Sequence, residues 1–269
     1  MVERAFRFGV VAGRVESRTQ WTEFAKQAEG AGFHTLLVPD TVNVAAPFAA
    51  LASAAAVTTD LRLGTFVLAT PLRPAAAIAW EATSLSRLSD GRFDLGLGAG
   101  RPDAAREAAL FGLPFGTPGE RVDQVVDAVR VVRERFDGPL MLAASGRRML
   151  GLAAREADIV NLALSPNSGE ADAAATVALL RELAGPRFDE LELCYNTFAV
   201  GSADELPPWV RVRPDEAADN KVLAVLTGSP AEIADVLLRR RTELGISYVA
   251  VNQNAMAAFV PVIDLLTSQ

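Results

Sequence analysis

Residues 61–97 read LRLGTFVLATPLRPAAAIAWEATSLSRLSDGRFDLGL and alternate between two kinds of hydrophobic pattern. A short run rich in β-forming residues, 61–68, precedes a helical stretch, 74–88, that starts with a proline, a residue favoured in the first turn of a helix. A second β-rich run follows at 93–97. This strand–helix–strand order predicts a βαβ unit with two parallel strands.

The same alternation extends in both directions along the chain. Further strands are expected at 6–11, 35–38, 140–143, 159–162, 191–200 and 248–251. Further helices are expected at 19–31, 47–58, 117–136, 147–156, 169–183 and 229–244, with a short last helix that ends near residue 266. Residues 202–220, which contain three prolines, are expected to be a loop excursion. Eight strand–helix pairs of roughly 30 residues each are typical of a (β/α)₈ TIM barrel, so one α/β barrel domain over residues 1–269 is predicted.

The competing architecture is a doubly wound open sheet. Such sheets usually have fewer strands and a glycine-rich first turn. Here the first strand is followed by Ala12-Gly13-Arg14, which lacks the G-x-G-x-x-G pattern. The closed barrel is therefore favoured.

Composition narrows the chemistry that is available to the chain. Its 269 residues include one histidine, His34, and two lysines, Lys26 and Lys221. His34 lies where a predicted helix turns into a strand, and Lys26 lies inside a helix, so neither is expected at the catalytic end of a barrel. Histidine acid–base catalysis, Schiff-base chemistry and histidine metal sites are disfavoured, and a bound cofactor is expected to carry the chemistry.

Charge and cysteine content set expectations about location and partners. The net charge of −7 argues against general nucleic-acid binding. No apolar run of about 18 residues is present to span a membrane, and the first residues show no signal-peptide pattern, so a cytoplasmic protein is expected. Cys194 is the single cysteine, which excludes an intrachain disulfide and favours a buried, inert thiol.

Charged residues separate between the two ends of the predicted barrel. The arginines in loops after the strands are Arg14, Arg18, Arg73, Arg101, Arg147 and Arg148. The aspartates in loops before the strands are Asp60, Asp90, Asp137, Asp158 and Asp189. This partition predicts a cationic mouth that attracts an anionic ligand. The alternative is that these arginines are solvated rim residues.

Two loops at that end are candidate binding elements. Residues 144–148, ASGRR, join the predicted fifth strand to a helix, where backbone N–H groups, the Ser145 hydroxyl and Arg147 would form a phosphate cradle. The alternative is an ordinary helix cap by Ser145. Residues 96–100, GLGAG, fail the dinucleotide fingerprint on spacing; they either let a flat ligand approach the backbone or form a tight turn.

Four stretches of the chain together resemble a known family. They are AEGAGF at 28–33 leading to LVPD at 37–40, LRLGTFVL at 61–68 leading to RPA at 73–75, LSDGRF at 88–93 with GLGAG at 96–100, and GSPAEI at 228–233 leading to LGI at 244–246. Their combination covers nearly the whole chain and resembles the bacterial luciferase-like monooxygenase superfamily, especially its branch that uses the deazaflavin coenzyme F-420. The resemblance implies a barrel that holds a flavin or deazaflavin at the carboxyl ends of its strands.

The resemblance also implies roles for individual residues. The Phe66–Val67 bond matches a non-proline cis peptide in a bulge that backs the cofactor ring, and residues 145–147 match the phosphate-binding loop. Asp40 matches an acidic position near the ring and is the candidate for proton handling. The residues expected around the cofactor are Asp40, Phe66, Val67, Gly98, Gly100, Arg101, Ala144, Ser145, Gly146, Arg147 and Asn161.

Three places depart from the family pattern. Thr41 follows Asp40 where many deazaflavin-dependent relatives have histidine, and Arg101 follows the glycine run where several have glutamate. Residues 134–139 connect a helix directly to the fifth strand, where relatives commonly carry an insertion that helps to cover the cofactor and substrate. The mouth is therefore expected to be unusually open.

The leading expectation is an oxidoreductase that passes a hydride between a bound cofactor and a small organic substrate. Coenzyme F-420 is preferred, with FMN as the alternative, because a long polyanionic tail suits an arginine-lined mouth and because the resemblance is greatest to that branch. A non-catalytic flavin- or phosphate-binding barrel is the second hypothesis. A cofactor-free phosphosugar isomerase or lyase is disfavoured, since it normally needs a lysine, histidine or metal base. A homodimer is expected, as is common in the family.

Overall fold

A closed barrel of parallel strands forms the centre of the protein. The computed structural model describes residues 4–201, Leu206, Val210 and residues 222–267. Its strands are β1 (Arg7–Val11), β2 (Thr35–Val38), β3 (Arg62–Thr65), β4 (Leu68–Ala69), β5 (Phe93–Gly98), β6 (Leu140–Ala144), β7 (Ile159–Leu162), β8 (Glu192–Thr197), β9 (Ala199–Gly201), β10 (Val225–Thr227) and β11 (Ile246–Asn252).

Strand pairing closes the sheet upon itself. β1 pairs in parallel with β2 on one side and with β11 on the other, while β3 and β4 together form one interrupted strand between β2 and β5. The remaining neighbours follow chain order from β5 to β8, and β8 pairs with β11. The eight-stranded TIM barrel is thereby confirmed; β9 and β10 form a separate parallel pair.

Helices cover the outside of this barrel. They are α1 (Arg18–Gly30), α2 (Pro47–Ala55), α3 (Ala75–Leu88), α4 (Ala105–Leu110), α5 (Pro118–Arg133), α6 (Gly146–Glu156), α7 (Glu170–Ala184), α8 (Pro230–Leu244) and α9 (Met256–Thr267). None of the helices in the described residues is both long and apolar enough to cross a membrane. The expected loop at 202–220 lies, apart from Leu206 and Val210, outside the described residues.

Local signals explain where several helices begin. Thr117 caps α5 in a reciprocal capping box with Glu120, and Ser229 caps α8 in the same way with Glu232, as the sequence predicts. Pro74 was expected in the first turn of α3, but it is the N-cap residue just before that helix. The short helix α4 was not predicted at all.

Apolar side chains fill the middle of the barrel. The buried members of this inner cluster are Val11, Leu37, Met141, Ile159, Cys194, Tyr248 and Ala250. Burial, helped by the nearby Glu192 carboxylate, raises the pKa of the Cys194 thiol well above its ordinary value. The expectation of a buried, inert thiol is confirmed.

Charged side chains close the amino-terminal end of the barrel below this cluster. Arg7 donates to Asp94 and, over 3.1 Å, to Glu192, while Nη2 of Arg62 donates to Oδ1 of Asp94 over 2.5 Å. The Arg7 guanidinium also lies 4.5 Å from the centre of the Tyr248 ring. Burial raises the pKa of Glu192 despite the opposing charge of Arg7. This cluster leaves the opposite end of the barrel as the candidate ligand-binding end.

The single histidine lies at this closed end as well. His34 Nδ1 accepts a hydrogen bond from the Phe8 N–H over 3.2 Å, just before β2. Burial, together with the positive charge of Arg7, lowers the pKa of His34. Its predicted absence from the mouth is confirmed, and its role is to connect two neighbouring strands.

Glu29 gives the fold a measurable pH dependence. Its Oε1 accepts from three successive backbone N–H groups, those of Thr59, Asp60 and Leu61, over 2.7–2.9 Å. Burial raises the pKa of Glu29, but these donors and the nearby Arg92 outweigh it, so the pKa is below its ordinary 4.5. Ionised Glu29 therefore stabilises the fold above pH 4.5, and this contribution is lost as pH falls through the lowered pKa.

We expect Glu29→Gln to lower the free energy of unfolding by about 1 kcal/mol at neutral pH, because hydrogen bonds to a charged acceptor become neutral ones. The difference from wild type should vanish in acid, when both side chains are uncharged. Urea denaturation from pH 3 to 7 measures this. Glu23→Gln, at an exposed pair with Lys26, is the matched control. A pH-independent difference would contradict the assignment.

Candidate active site

The third barrel strand is interrupted at the mouth. β3 ends at Thr65, β4 starts at Leu68, and the peptide bond between Phe66 and Val67 is cis, as expected. Both side chains pack against the inner apolar cluster, and the Phe66 N–H donates to the Val38 carbonyl oxygen over 2.8 Å. The bulge is thus built into the sheet.

The glycine run of β5 accommodates this bulge. Thr65 Oγ1 accepts from the Gly96 N–H over 2.8 Å and donates to its carbonyl oxygen over 2.9 Å. A Cβ atom on Gly96 would lie 2.1 Å from the Thr65 carbonyl oxygen, and one on Gly98 would lie 2.8 Å from Val67 Cγ2. The sequence left open a ligand approach or a tight turn, whereas these two glycines make room for the neighbouring strand. Contact between Gly98 and a cofactor stays a prediction.

Asp40 fixes the outer edge of the same bulge. Its Oδ2 accepts from the Ala69 N–H over 2.9 Å, and both carboxylate oxygens bind the guanidinium of Arg73. The side chain is only 7% exposed. With both oxygens engaged, the carboxylate positions the end of β4. Proton handling by Asp40 stays a prediction.

A second buried carboxylate contacts Thr41, the residue that follows Asp40. Oε1 of Glu107, on helix α4, accepts from the Thr41 hydroxyl over 2.6 Å. Its Oε2 is buried and has no hydrogen-bond partner among the residues that the structure describes. Glu107 is therefore a candidate for proton handling that the sequence analysis missed, because nothing in the sequence announces so short a helix.

A pocket of about 160 Å³ opens between the carboxyl ends of β7 and β8. Phe66 from the bulge and Asn161 from β7 both line it, so two residues predicted for the cofactor site lie together. Asn196, on β8, lines it as well and was not predicted. The signal that could have marked Asn196 is its amide side chain near the carboxyl end of a predicted strand, since ligands of such barrels bind at that end.

The loop after β6 lies beside this pocket. The carbonyl oxygen of Ala144 accepts a hydrogen bond of 3.1 Å from the N–H of Ala163, and Ala163 lines the pocket. Ser145 is the N-cap of α6, and its side chain makes no capping hydrogen bond within the described part of the chain. Ser17, Thr117 and Ser229, by contrast, all cap their helices. The ordinary-cap alternative for Ser145 is therefore wrong, and Ser145 and the first three residues of α6 are exposed. The first N–H groups of a helix have no partner within the helix itself.

Most arginines predicted for a cationic mouth are paired with carboxylates, which reduces the positive charge expected there. Five of the six have a carboxylate partner: Arg14–Glu16, Arg73–Asp40, Arg101–Asp103, Arg147–Glu182 and Arg148–Asp123. The Arg73 pair is largely buried. The other four are exposed, with the Arg147 side chain 66% exposed, and exposed pairs hold together weakly. An anionic ligand at the α6 terminus would compete with Glu182 for Arg147.

These elements give the mouth three functional parts. The cis bulge forms a rigid floor, the α6 terminus offers donors for an anionic group, and the pocket between β7 and β8 is mainly apolar with two amides. Gly100 and Arg101 lie on the loop after β5, and Arg101 is exposed at the rim. Such an arrangement can hold an anionic tail at one end and a small neutral group at the other.

Comparisons with known proteins agree with this architecture. Residues 6–214 match the family model described as luciferase-like monooxygenase. An uncharacterized protein of Mycobacterium tuberculosis is 33% identical over 144 residues, which are 43% of this chain and 49% of that protein; the match thus spans about half of the relative's length.

Solved structures share the fold over nearly the whole chain. The coenzyme F420-dependent tetrahydromethanopterin reductase from Methanopyrus kandleri superposes with a TM-score of 0.75 at 18% identity and covers 97% of this chain and 98% of that one. Riboflavin lyase, solved with modified FMN and riboflavin, has a TM-score of 0.79 at 16% identity and covers 98% and 92%. At these identities the likeness shows the barrel fold alone.

Proposed function

We infer a function from the premise that this chain belongs to the luciferase-like monooxygenase family. We propose that it is an oxidoreductase which passes a hydride between a bound deazaflavin or flavin and a small organic substrate. The observation that carries the proposal is the uncapped α6 terminus at Ser145, beside a pocket whose wall is the cis bulge. The structural neighbours include enzymes described with F420 and with FMN. The N-terminus of a helix favours phosphate groups because its first N–H groups have no partner within the helix and its dipole attracts negative charge.

The residues present fit such a cofactor. Ser145, Gly146 and Arg147 would hold a phosphate group through a hydroxyl, backbone N–H groups and a guanidinium. Phe66 and Val67 would back the ring, and the orphaned Asn161 oxygen would accept from it or from the substrate. When bound, the cofactor supplies the hydride chemistry; the chain positions the two reacting molecules.

Coenzyme F-420 is the cofactor we prefer, and FMN is the alternative. The exposed arginines of the rim are held weakly by surface carboxylates, so they can bind a phosphate or a tail carboxylate instead. A long polyanionic tail would gain the most binding energy from such a rim. FMN would use the α6 terminus alone. Titration of the pure protein with each cofactor, followed by absorbance and fluorescence, decides between them.

Ser145→Asp tests the proposed phosphate site. A carboxylate there would take up the free N–H groups of α6 and repel a phosphate, so we expect binding of F-420 and of FMN to weaken about 100-fold. Ser17→Asp is the matched control, because it puts the same charge at a helix N-cap whose side chain already caps its helix. Unchanged cofactor affinity in Ser145→Asp would refute the assignment.

A non-catalytic flavin- or phosphate-binding barrel is the second candidate. It is favoured by the Asp40 carboxylate, both oxygens of which are already bound, and by Thr41 in place of a histidine. The two candidates differ in turnover. Cofactor that binds, but is neither reduced nor oxidised with any member of a broad panel of small donors and acceptors, would favour the non-catalytic barrel.

Three further expectations stay predictions: a homodimer, a cytoplasmic location, and one domain that spans residues 1–269. A homodimer predicts a solution mass of twice 28.5 kDa by light scattering. A small molecule rather than a nucleic acid is the partner that we propose.

A further inference from the structure

The pocket between β7 and β8 contains two buried amide oxygens without partners. Oδ1 of Asn161 and Oδ1 of Asn196 are both buried, and neither has a hydrogen-bond partner in the described part of the chain. Asn161 on β7 pairs with Cys194 on β8. Asn196 is two residues further along β8 and therefore lies closer to the mouth. A buried acceptor left unsatisfied costs about 1–3 kcal/mol, so two of them at one pocket indicate a partner that supplies hydrogen-bond donors.

The rest of the lining restricts what that partner is. Apolar walls come from Phe66, Leu164, Phe198 and Leu223. None of the side chains that line the pocket among the described residues carries a charge. An ionised group would be poorly accommodated here, since a charge removed from water needs a counter-charge. The occupant is therefore neutral.

Size narrows the choice further. About 160 Å³ is below the range of roughly 300–1,000 Å³ typical of pockets for drug-sized ligands, and it corresponds to about five water molecules at liquid density. The pocket holds a small molecule or one end of a larger one. Ser145 and the α6 terminus lie on its flank, so an anionic tail has its own place outside it.

We propose that this pocket is the substrate end of the site, and that Asn161 and Asn196 select a small, neutral, largely apolar molecule, or such an end of a larger one, through its N–H or O–H donors. That the bound molecule is a substrate rests on the proposed function. The same donor chemistry also occurs on the N–H edge of a flavin or deazaflavin ring, so the test must separate these two sources.

Donor selectivity is measured first, without any cofactor. Two probes donate hydrogen bonds, 2-propanol and N-methylacetamide. Each is compared with a molecule of similar shape that only accepts hydrogen bonds: acetone for 2-propanol and N,N-dimethylacetamide for N-methylacetamide. NMR titration follows the side-chain amide signals of Asn161 and Asn196. We expect the donors to bind about three- to tenfold more tightly than their counterparts, the ratio expected for one net hydrogen bond. Equal affinities, or a pocket that holds only water in crystals soaked with the donors, would overturn the proposal.

Variants then assign the selectivity. Asn161→Leu and Asn196→Leu should each remove the preference for donors, while Asn254→Leu, at an exposed position outside the pocket, should keep it. Asn196→Asp retains the shape and the acceptor; it should bind acetamidinium better than wild type does, which keeps the test valid if the leucine variants fold poorly.

Cofactor titration of the same variants separates the two sources. We expect the dissociation constants of F-420 and FMN to change less than twofold in Asn196→Leu, whose residue has no assigned role toward the cofactor. If cofactor affinity instead fell tenfold while probe selectivity persisted, the amides would serve the cofactor ring and the proposal would be overturned. If wild type bound neither cofactor, the proposed function would fail, but the donor selectivity of the pocket would still be decided by the probe titrations.

Discussion

Asp94→Asn is expected to lower the free energy of unfolding by about 3–5 kcal/mol. Asp94 is 2% exposed and binds both Arg7 and Arg62 at the closed end of the barrel. Asparagine keeps the shape but removes the charge, which leaves two guanidinium groups with Glu192 as the remaining carboxylate of the cluster. The loss is large because the Arg7 guanidinium, whose side chain is 15% exposed, keeps only one of its two carboxylate partners, so part of the cost of its removal from water is no longer offset.

Asp103→Asn is the control for that experiment. Asp103 pairs with Arg101, but both side chains are more than 60% exposed, so its loss should stay within about 1 kcal/mol. Urea denaturation at neutral pH measures both variants. Equal losses would mean that the closed end of the barrel is hydrated and that burial does not strengthen its ion pairs.

Gly96→Ala is expected to lower the free energy of unfolding by about 3 kcal/mol and to abolish cofactor binding. The added Cβ would lie 2.1 Å from the Thr65 carbonyl oxygen, and a backbone atom cannot rotate away as a side chain can. β5 or the bulge must therefore shift, and the shift would displace Phe66 and Val67 at the floor of the mouth.

The matched control is Gly151→Ala, the same substitution in the interior of α6. A Cβ there would meet only the end of the Arg155 side chain, at an ordinary 3.6 Å. We expect a gain of about 0.5–1 kcal/mol, because alanine is the better helix former. Urea denaturation and cofactor titration are run on both variants. A Gly96→Ala protein with the stability and cofactor affinity of wild type would show that the close approach of β3 and β5 is not required.

Short-range patterns predicted much of the fold. β2 and β7 have the bounds that the sequence suggested, and the capping boxes at Thr117 and Ser229 begin their helices as expected. These features depend on residues within a few positions of one another, so the local sequence contains the information. The resemblance to relatives added the cis peptide at Phe66–Val67, which no local pattern indicates.

The candidate site was predictable only in part. Ser145, Phe66 and Asn161 lie around one region of the mouth, as expected, yet Asn196 and Glu107 were missed. Arg14, Arg73 and Arg101 lie in loops after strands, whereas Arg18, Arg147 and Arg148 lie in the first turns of α1 and α6. Arg14 and Arg101 pair with carboxylates two positions away, but Arg73, Arg147 and Arg148 pair with carboxylates that are distant in the sequence. Arg147 and Glu182, for example, are 35 positions apart. Which charges neutralise each other is decided by how adjacent helices pack.

The sequence alone therefore determined the alternation of strands and helices, and with it the closed barrel and the end at which a ligand would bind, because hydrophobic periodicity and capping are local properties of the chain. Tertiary structure alone decided what the mouth contains. In the structure Asp40 binds Arg73 and Ala69, and the cis bulge fills the space beside Gly96 and Gly98. Among the described residues, the Oδ1 atoms of Asn161 and Asn196 have no hydrogen-bond partner, and both residues line one pocket. Each of these outcomes depends on groups from different strands that meet only when the barrel closes.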